Sequence, residues 1–321
     1  MNLRIKILKI WPYLIATVQL LALRFSTDSP FKTKPTAGFM RGIDFYSTFH
    51  LYRILANEMF NFKQVHHVYP SIIKPKGFNQ KIFWFKFLGE VKVPQAGNKM
   101  LTEYFIPEKL KKFIKCPEII WHASAPNLPQ NHEIPSATYY LKSSHGSGMV
   151  KKIKYPLDSK TRQELEDLCA QWLKNPYGLE SAEWWYNSFK PVLLIEKSVS
   201  ENDSITFGLF MFSGEVSFIT MVKKLASHTE ISWLDTSLEM LKEQPEGYKP
   251  VTDYSLPKNI DFAITLCREI ASPYPFVRVD LLVDSDSNFY LGEMTFSPSN
   301  ALTKRPIEMD IALGEQWKLP I

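Results

Sequence analysis

The 321-residue chain has only three cysteines, Cys116, Cys169 and Cys267. They lie far apart, none forms a C-x-x-C pair, and an odd number is no disulfide framework, so a reducing compartment is the simplest setting. Histidine is scarce too, and none of the seven has metal-ligand spacing. His66 and His67 are adjacent and diverge on any regular element, which argues against structural zinc. No Pro, Gly and Ser tract is long enough for a disordered linker, and there is no internal repeat. No basic run carries interleaved aromatics, so nucleic acid is not an expected partner.

Long apolar runs are missing as well. The run from Ile10 to Leu23 is broken by Pro12, Thr17 and Gln19, and it falls short of the ~20 residues that cross a bilayer. Arg4, Lys6 and Lys9 precede it. Three readings of residues 1–30 stay open: a helix in the membrane interface, a helix packed on the body, or an export signal. For the last, Arg24-Phe25 stands where a small-residue cleavage site is needed. The expected location is the cytoplasm, and on the first of the three readings this segment makes a peripheral contact with the inner face of the membrane.

What is present is ample core. Apolar residues make up 45% of the chain, and its length suits about two domains. The net charge of +5 suits an acidic substrate or a membrane surface. From Asp44 to Phe87 the sequence reads as mostly helical, with a break from Pro70 to Gly77. Asn98 to Phe113 reads as a further helical piece interrupted at Pro107. Pro117, Pro126, Pro129 and Pro135 then mark a loop-rich connection. Beyond it come strands at Ala137–Leu141, Met149–Ile153, Pro191–Val199, Ile205–Phe212 and Val216–Val222. Helices are expected after Asp158 and from Lys258 to Ile270, and a hairpin from Phe276 to Met294. The class is α+β. Expected divisions are 1–30, a helical region 31–134, a nucleotide-binding lobe 135–200 and a C-terminal lobe 201–321.

The hairpin carries the charge. Val277, Val279, Leu281 and Val283 alternate with Arg278, Asp280 and Leu282, which share the opposite face. If the turn centres between Asp286 and Ser287, Asp280 falls opposite Glu293 and Arg278 opposite Thr295, all on one face. Two carboxylates so close repel unless a cation lies between them, and Mg²⁺ is the natural hard cation for oxygen ligands. An exposed face on which Arg278 simply pairs with both acids is the plainer reading of the spacing. Asp284-Ser285-Asp286 is similar to the D-x-D metal site of nucleotide-sugar glycosyltransferases, although a hairpin turn contains the same residues.

Lys142 ends a strand and precedes the loop Ser143-Ser144-His145-Gly146-Ser147-Gly148. Two glycines let successive N–H groups point at phosphate oxygens, yet an ordinary β-turn fits equally well. It is not a Walker A loop, since no Gly-Lys-Ser/Thr follows.

Three pieces together, Lys142 with His145–Gly148, Phe276-Val277-Arg278-Val279-Asp280, and Gly292-Glu293-Met294-Thr295-Phe296, resemble the ATP-grasp enzymes. The likeness is to the TupA-like branch associated with teichuronopeptide biosynthesis. Phe78-Asn79-Gln80-Lys81-Ile82 with Trp84, the Asn98-Lys99 pair, and Leu313-Gly314-Glu315-Gln316-Trp317 add to the resemblance, which runs from about Ile73 to the C-terminus. The D-alanine–D-alanine ligases look similar over the hairpin.

The resemblance implies two α+β lobes enclosing ATP, behind a helical N-terminal region. It implies adenine against Pro191–Val199, with backbone groups of Glu196, Lys197 and Val199 at the base and Glu201 or Asp203 at the ribose. Lys99 and Lys142 would bind the α- and β-phosphates under the His145–Gly148 loop. Asp280 and Glu293 would hold Mg²⁺, and Arg278 would steady the transferred phosphoryl group. The implied activity is ATP-dependent ligation of a carboxylate to an amine, on an acidic glycan or amino acid of a cell-surface polysaccharide. The alternatives are a kinase of a glycan hydroxyl, a glycosyltransferase using Asp284 and Asp286, and a non-catalytic binding protein with a degenerate nucleotide site. Two departures stand out. Thr295 occupies the place where many ATP-grasp enzymes have an asparagine metal ligand, and Thr206-Phe207-Gly208 stands where TupA-like proteins tend to have Asp-Tyr-Lys.

Overall fold

A computed structural model describes residues 3–200, 205–225 and 227–320, with the side chains of 3–9 outside the description. The chain divides into two compact units: Met1–Ala96 with Gly178–Trp185 and Phe296–Ile321, and Gly97–Tyr177 with Tyr186–Thr295.

The first unit is mainly helical. It holds α1 (Leu3–Phe25), α2 (Gly42–Phe45), α3 (Thr48–His66) and α4 (Phe78–Leu88), and a short antiparallel pair, β1 (Phe39–Met40) with β2 (Val91–Lys92). Ser47 caps α3, its hydroxyl accepting from the His50 amide. His67 closes α3 with a left-handed φ of 61°. The aromatic stretch is core: Phe78, Phe83, Trp84 and Phe87 are buried. In its interior Lys86, fully buried, is ion-paired with Glu58 and donates to Asn300 Oδ1 at 2.6 Å and the Ser181 carbonyl at 3.1 Å. The C-terminal helix of this unit runs Ile307–Gln316. Its Asp310 accepts from the Asn79 amide at 3.0 Å, at the start of α4, and Lys81 Nζ donates to the carbonyls of Gly314 (2.7 Å) and Trp317 (2.6 Å) at its end. Each charge thus sits at the helix end whose unpaired groups it complements.

The second unit is α+β and contains two antiparallel sheets. One comprises β3 (Ile119–Ala123), β4 (Thr138–Ser143), β5 (Val150–Lys154) and β6 (Leu193–Lys197), in the order β3-β6-β4-β5. Tyr139, Leu141, Leu193 and Ile195 form its inner face against Leu165, Cys169 and Trp172 of α5 (Ser159–Lys174). The other comprises β7 (Ile205–Phe212), β8 (Glu215–Lys224), β9 (Thr229–Leu234), β10 (Val277–Val283) and β11 (Phe289–Thr295), in the order β11-β10-β7-β8-β9. The helix α6 (Ile260–Ala271) packs on it through Ala263, Ile264, Cys267 and Ile270, all buried. The C-terminal helix Ile307–Gln316 is α7.

Three expectations change. Residues 98–113 form 3₁₀ turns, Lys99–Phe105 and Glu108–Leu110, instead of an α-helix. The Asn98 side chain caps the first, accepting from the Met100 amide at 3.1 Å, and Pro107 lacks the N–H that would carry the helix on. The divisions at 134/135 and 200/201 both fall inside the second unit, and β3 joins the same sheet as β4 to β6. The strands β3 and β9 were not expected at all.

Candidate functional site

In the β10–β11 hairpin, Arg278 pairs with Thr295 and Asp280 with Glu293, the register that places the four on one face. The tip is one step tighter than a turn centred between Asp286 and Ser287, since Val283 pairs with Phe289. A bulge between Asp280 and Leu281 absorbs the difference. The strand skips Gly292, and without that skip Asp280 would face a residue with no side chain.

Arg278 holds Asp280 by two hydrogen bonds, Nε to Oδ1 and Nη2 to Oδ2, each 2.6 Å, and Nη2 also donates to Thr295 Oγ1 at 3.2 Å. Burial pushes the Asp280 carboxyl above the usual carboxylate range. Arg278 draws it down, and Glu293 adds to the rise. Across the other neighbour, β7, Gly208 lies opposite Asp280. A Cβ there would stand 2.4 Å from Thr220 Oγ1 and 3.1 Å from Asp280 Oδ1. Gly208 therefore leaves room beside the Asp280 carboxylate.

Asp280 and Glu293 line a cleft of about 870 Å³. Its walls also carry Lys99, Lys142, Glu196, Val199 and the loop Gly146-Ser147-Gly148. Lys142 lies on the same face of its sheet as Glu196, with which it is ion-paired. Lys99 Nζ donates to the Gly146 carbonyl at 2.6 Å. Burial lowers the Lys99 ammonium below the usual lysine range. Glu293 and Glu196 oppose that fall, and Lys142 adds to it.

The loop is built for exposed amides. Gly146 and Gly148 have φ of +86° and +76°, where only glycine sits without strain. A Cβ at Gly146 would also meet the Tyr177 ring at 2.8 Å. Among the described residues the amides of Gly146, Ser147 and Gly148 donate to no backbone oxygen. His145 supports the loop from within, its residue only 2% exposed. Its Nε2 lies 2.9 Å from the Asn175 carbonyl, and its Nδ1 lies 2.7 Å from Ser143 Oγ. A carbonyl only accepts, so Nε2 carries the proton and Nδ1 accepts from the serine. Burial, with help from Lys99, lowers the ring's basicity and keeps it neutral in the native loop.

The sequence-derived site residues thus separate. Lys99, Lys142, Gly146, Ser147, Gly148, Glu196, Val199, Asp280 and Glu293 share the cleft. Arg278 and Thr295 are both hydrogen-bonded to Asp280, and His145 is buried within the loop. Lys197 points elsewhere: its ammonium pairs with Glu118 at 2.6 Å, and its amide donates to the Glu118 carbonyl at 2.9 Å. Glu201 and Asp203 lie outside the described residues.

Lys224, an exposed residue, also lines the cleft. The pairing of Gly208 with Thr220 puts even-numbered residues of β8 on the Asp280 face, so strand parity could have found it. Lys223, on the other face, pairs with Asp253. Lys111, Lys115 and Tyr140 are among the further lining residues that had not been singled out.

Asp284 does not form a D-x-D site. Its carboxylate accepts from the amides of Asp286 (2.9 Å) and Asn288 (2.8 Å), from Asn288 Nδ2 (2.9 Å) and from the Tyr290 hydroxyl (3.3 Å). Burial opposes, but these donors hold it below the usual carboxylate range. Its lone pairs serve the turn.

The family described as TupA-like ATPgrasp matches residues 91–318. No curated protein matches. Solved structures similar to this chain include the ATP-grasp ligase PsnB complexed with a phosphomimetic variant of its minimal precursor, Mg and ADP, with 12% identity, TM-score 0.39, and coverage of 69% of this chain and 59% of that one. The D-alanine–D-alanine ligase of Helicobacter pylori has 14% identity, TM-score 0.38, and coverage of 70% and 61%. The VanG D-Ala:D-Ser ligase of Enterococcus faecalis has 11% identity, TM-score 0.41, and coverage of 70% and 61%. The chain thus spans about three fifths of the length of these structures.

Proposed function

The chain belongs to the TupA-like ATP-grasp family, and we propose that it is an ATP-dependent carboxylate–amine ligase. One observation carries the reading. Asp280 and Glu293 face each other across β10 and β11 on the wall of a cleft that also holds Lys99, Lys142 and a glycine loop whose amides, among the described residues, donate to no backbone oxygen.

The residues fit a nucleotide triphosphate and a hard cation. The cleft lies within the size range of small-molecule sites. The candidate cation ligands, Asp280, Glu293 and the Thr295 hydroxyl, are all oxygens, as Mg²⁺ requires. Among the described residues no group of three or more His, Cys, Asp or Glu could hold a metal, so phosphate oxygens would complete the shell. Bound together, ATP and Mg²⁺ would supply a transferable phosphoryl group and screen its charge from an incoming anion.

The chain's own groups do the rest. Lys99, Lys142 and the amides of 146–148 would bind the phosphates, with His145 fixing the loop. Backbone groups near Glu196 and Val199 would edge the base. Arg278, with Nη1 not engaged by Asp280, would steady charge on the transferred group. The substrate's carboxylate oxygen attacks the γ-phosphorus and ADP leaves. The amine nitrogen then attacks the acyl carbon, the carbon–oxygen bond breaks and phosphate departs with the amine's proton, so nitrogen replaces an oxygen that was a poor leaving group. The carboxylate is that of a uronic acid or acidic amino acid in a cell-surface polysaccharide. Lys115 and Lys224 in the same cleft support an anionic substrate, whereas Lys111 there is already ion-paired with Glu108.

The test is phosphate release with Mg-ATP and a panel of acidic glycans and amino acids, each with and without an amine. A ligase frees inorganic phosphate when both substrates are present. Phosphate retained on a hydroxyl product would instead establish the kinase.

A further inference from the structure

The helix α1 carries two apolar faces, and only one is used. Its inner face is seated in the first unit. Ala16 is fully buried, Thr17 Oγ1 lies 3.2 Å from the Tyr52 hydroxyl, and Gln19 bonds the Pro70 carbonyl (3.1 Å) and the Ile72 amide (2.8 Å). The outer face bears Trp11, Leu14, Val18, Leu21 and Phe25 at helical spacing, with Ile10 beside them, and all six are exposed. Trp11, Val18 and Phe25 reach 54%, 65% and 79%. A continuous apolar stripe of this kind on a folded protein marks a contact surface.

We propose that this stripe docks α1 lengthwise on an anionic phospholipid surface. Charge selects the occupant. Between Leu3 and Phe25 the sequence has Arg4, Lys6, Lys9 and Arg24 and no acidic residue. The spacing 11, 14, 18, 21, 25 also matches a coiled-coil seam, but a second copy would set like charges against like, with no carboxylate to pair across. An anionic headgroup layer offers the opposite charge, and the acyl boundary takes the apolar row. Among the described residues no helix is long and apolar enough to cross a membrane, which agrees with a helix lying flat. Tryptophan at one end of the stripe suits the headgroup level. The proposal does not depend on the ligase reading.

The full chain is to be sedimented with phosphatidylcholine vesicles, with and without about one third phosphatidylglycerol. Binding is expected only with the anionic lipid, and it should be lost on raising salt from about 0.1 M to about 1 M. Trp11→Ser/Val18→Ser/Phe25→Ser should weaken it at least about tenfold while leaving the melting temperature unchanged. Arg24→Glu should weaken it severalfold. No binding to anionic vesicles at low salt, or equal binding by the triple variant, overturns the proposal. So does a concentration-dependent dimer that the triple variant abolishes.

Discussion

Arg278 and Asp280 stand two residues apart on one strand and clasp each other through two 2.6 Å hydrogen bonds. Such paired donors are among the stronger polar contacts a protein makes. The pair therefore links scaffold and site: the carboxylate proposed as a cation ligand is also the partner of a largely buried guanidinium.

Substituting either member should separate the two roles. Arg278→Met leaves Asp280 without its counter-charge and should cost about 3 kcal/mol, measured by urea unfolding. Asp280→Asn keeps the shape and one acceptor. It should fold, with turnover lowered at least about a hundredfold, since the cation site loses a charged ligand. Wild-type turnover in Asp280→Asn would remove the metal role.

Gly208 gives an independent handle on the same carboxylate. Gly208→Ala should destabilise by about 2 kcal/mol, because the new methyl overlaps Thr220 Oγ1. Adding Thr220→Ala should restore most of the stability. Activity should stay low in the double variant, since the methyl still presses on Asp280.

The neutral ring of His145 predicts a dependence on acidity. Its basicity is lowered on folding, so the unfolded chain takes up the proton first as pH falls through the model-peptide value of 6.5. Stability should be unaffected by this group above that value and should decline below it, down to the native ring's own lower pKa. His145→Gln should show a smaller loss between neutral and mildly acidic pH in thermal unfolding.

In the first unit, Lys86→Met should cost about 3–5 kcal/mol by stranding Glu58, whereas Glu58→Met/Lys86→Met should cost clearly less. Denaturant midpoints of the two single variants and the double variant measure the coupling.

At the hairpin tip, Asp286→Ala should leave both stability and activity unchanged. Asp284→Ala should lose about 1–2 kcal/mol with its turn bonds. Loss of turnover in Asp286→Ala would reopen the glycosyltransferase reading.

The charged face was legible because strand alternation is strict: Arg278 and Asp280 share a side whatever the turn does. Their partners were reached by a turn centre half a residue off, offset by the irregularity at Gly292, which no spacing rule announces. Gly146 and Gly148 pointed to unusual backbone, but the inward turn of His145 depends on Asn175, thirty residues away. Residues 98–113 had helical periodicity, and local capping and Pro107 overrode it. The strand β3 followed a proline-rich stretch that read as loop, so its place beside β6 was invisible without the sheet. Asn79, Lys81, Gly314 and Trp317 contributed to the resemblance as separate fragments. Their meeting at the ends of α7 and α4 explains why they go together.

The skipped residue at Gly292 has a practical consequence. It lies between the hairpin tip and the paired acids, so the tip and the acids are fixed by separate stretches of ladder. Ser285 and Asp286 are exposed, and a peptide tag spliced after Asp286 has Leu281–Leu291 pairing to stop its disturbance before it reaches Glu293. The hairpin tip is therefore a natural place to attach a reporter that leaves the chemistry intact.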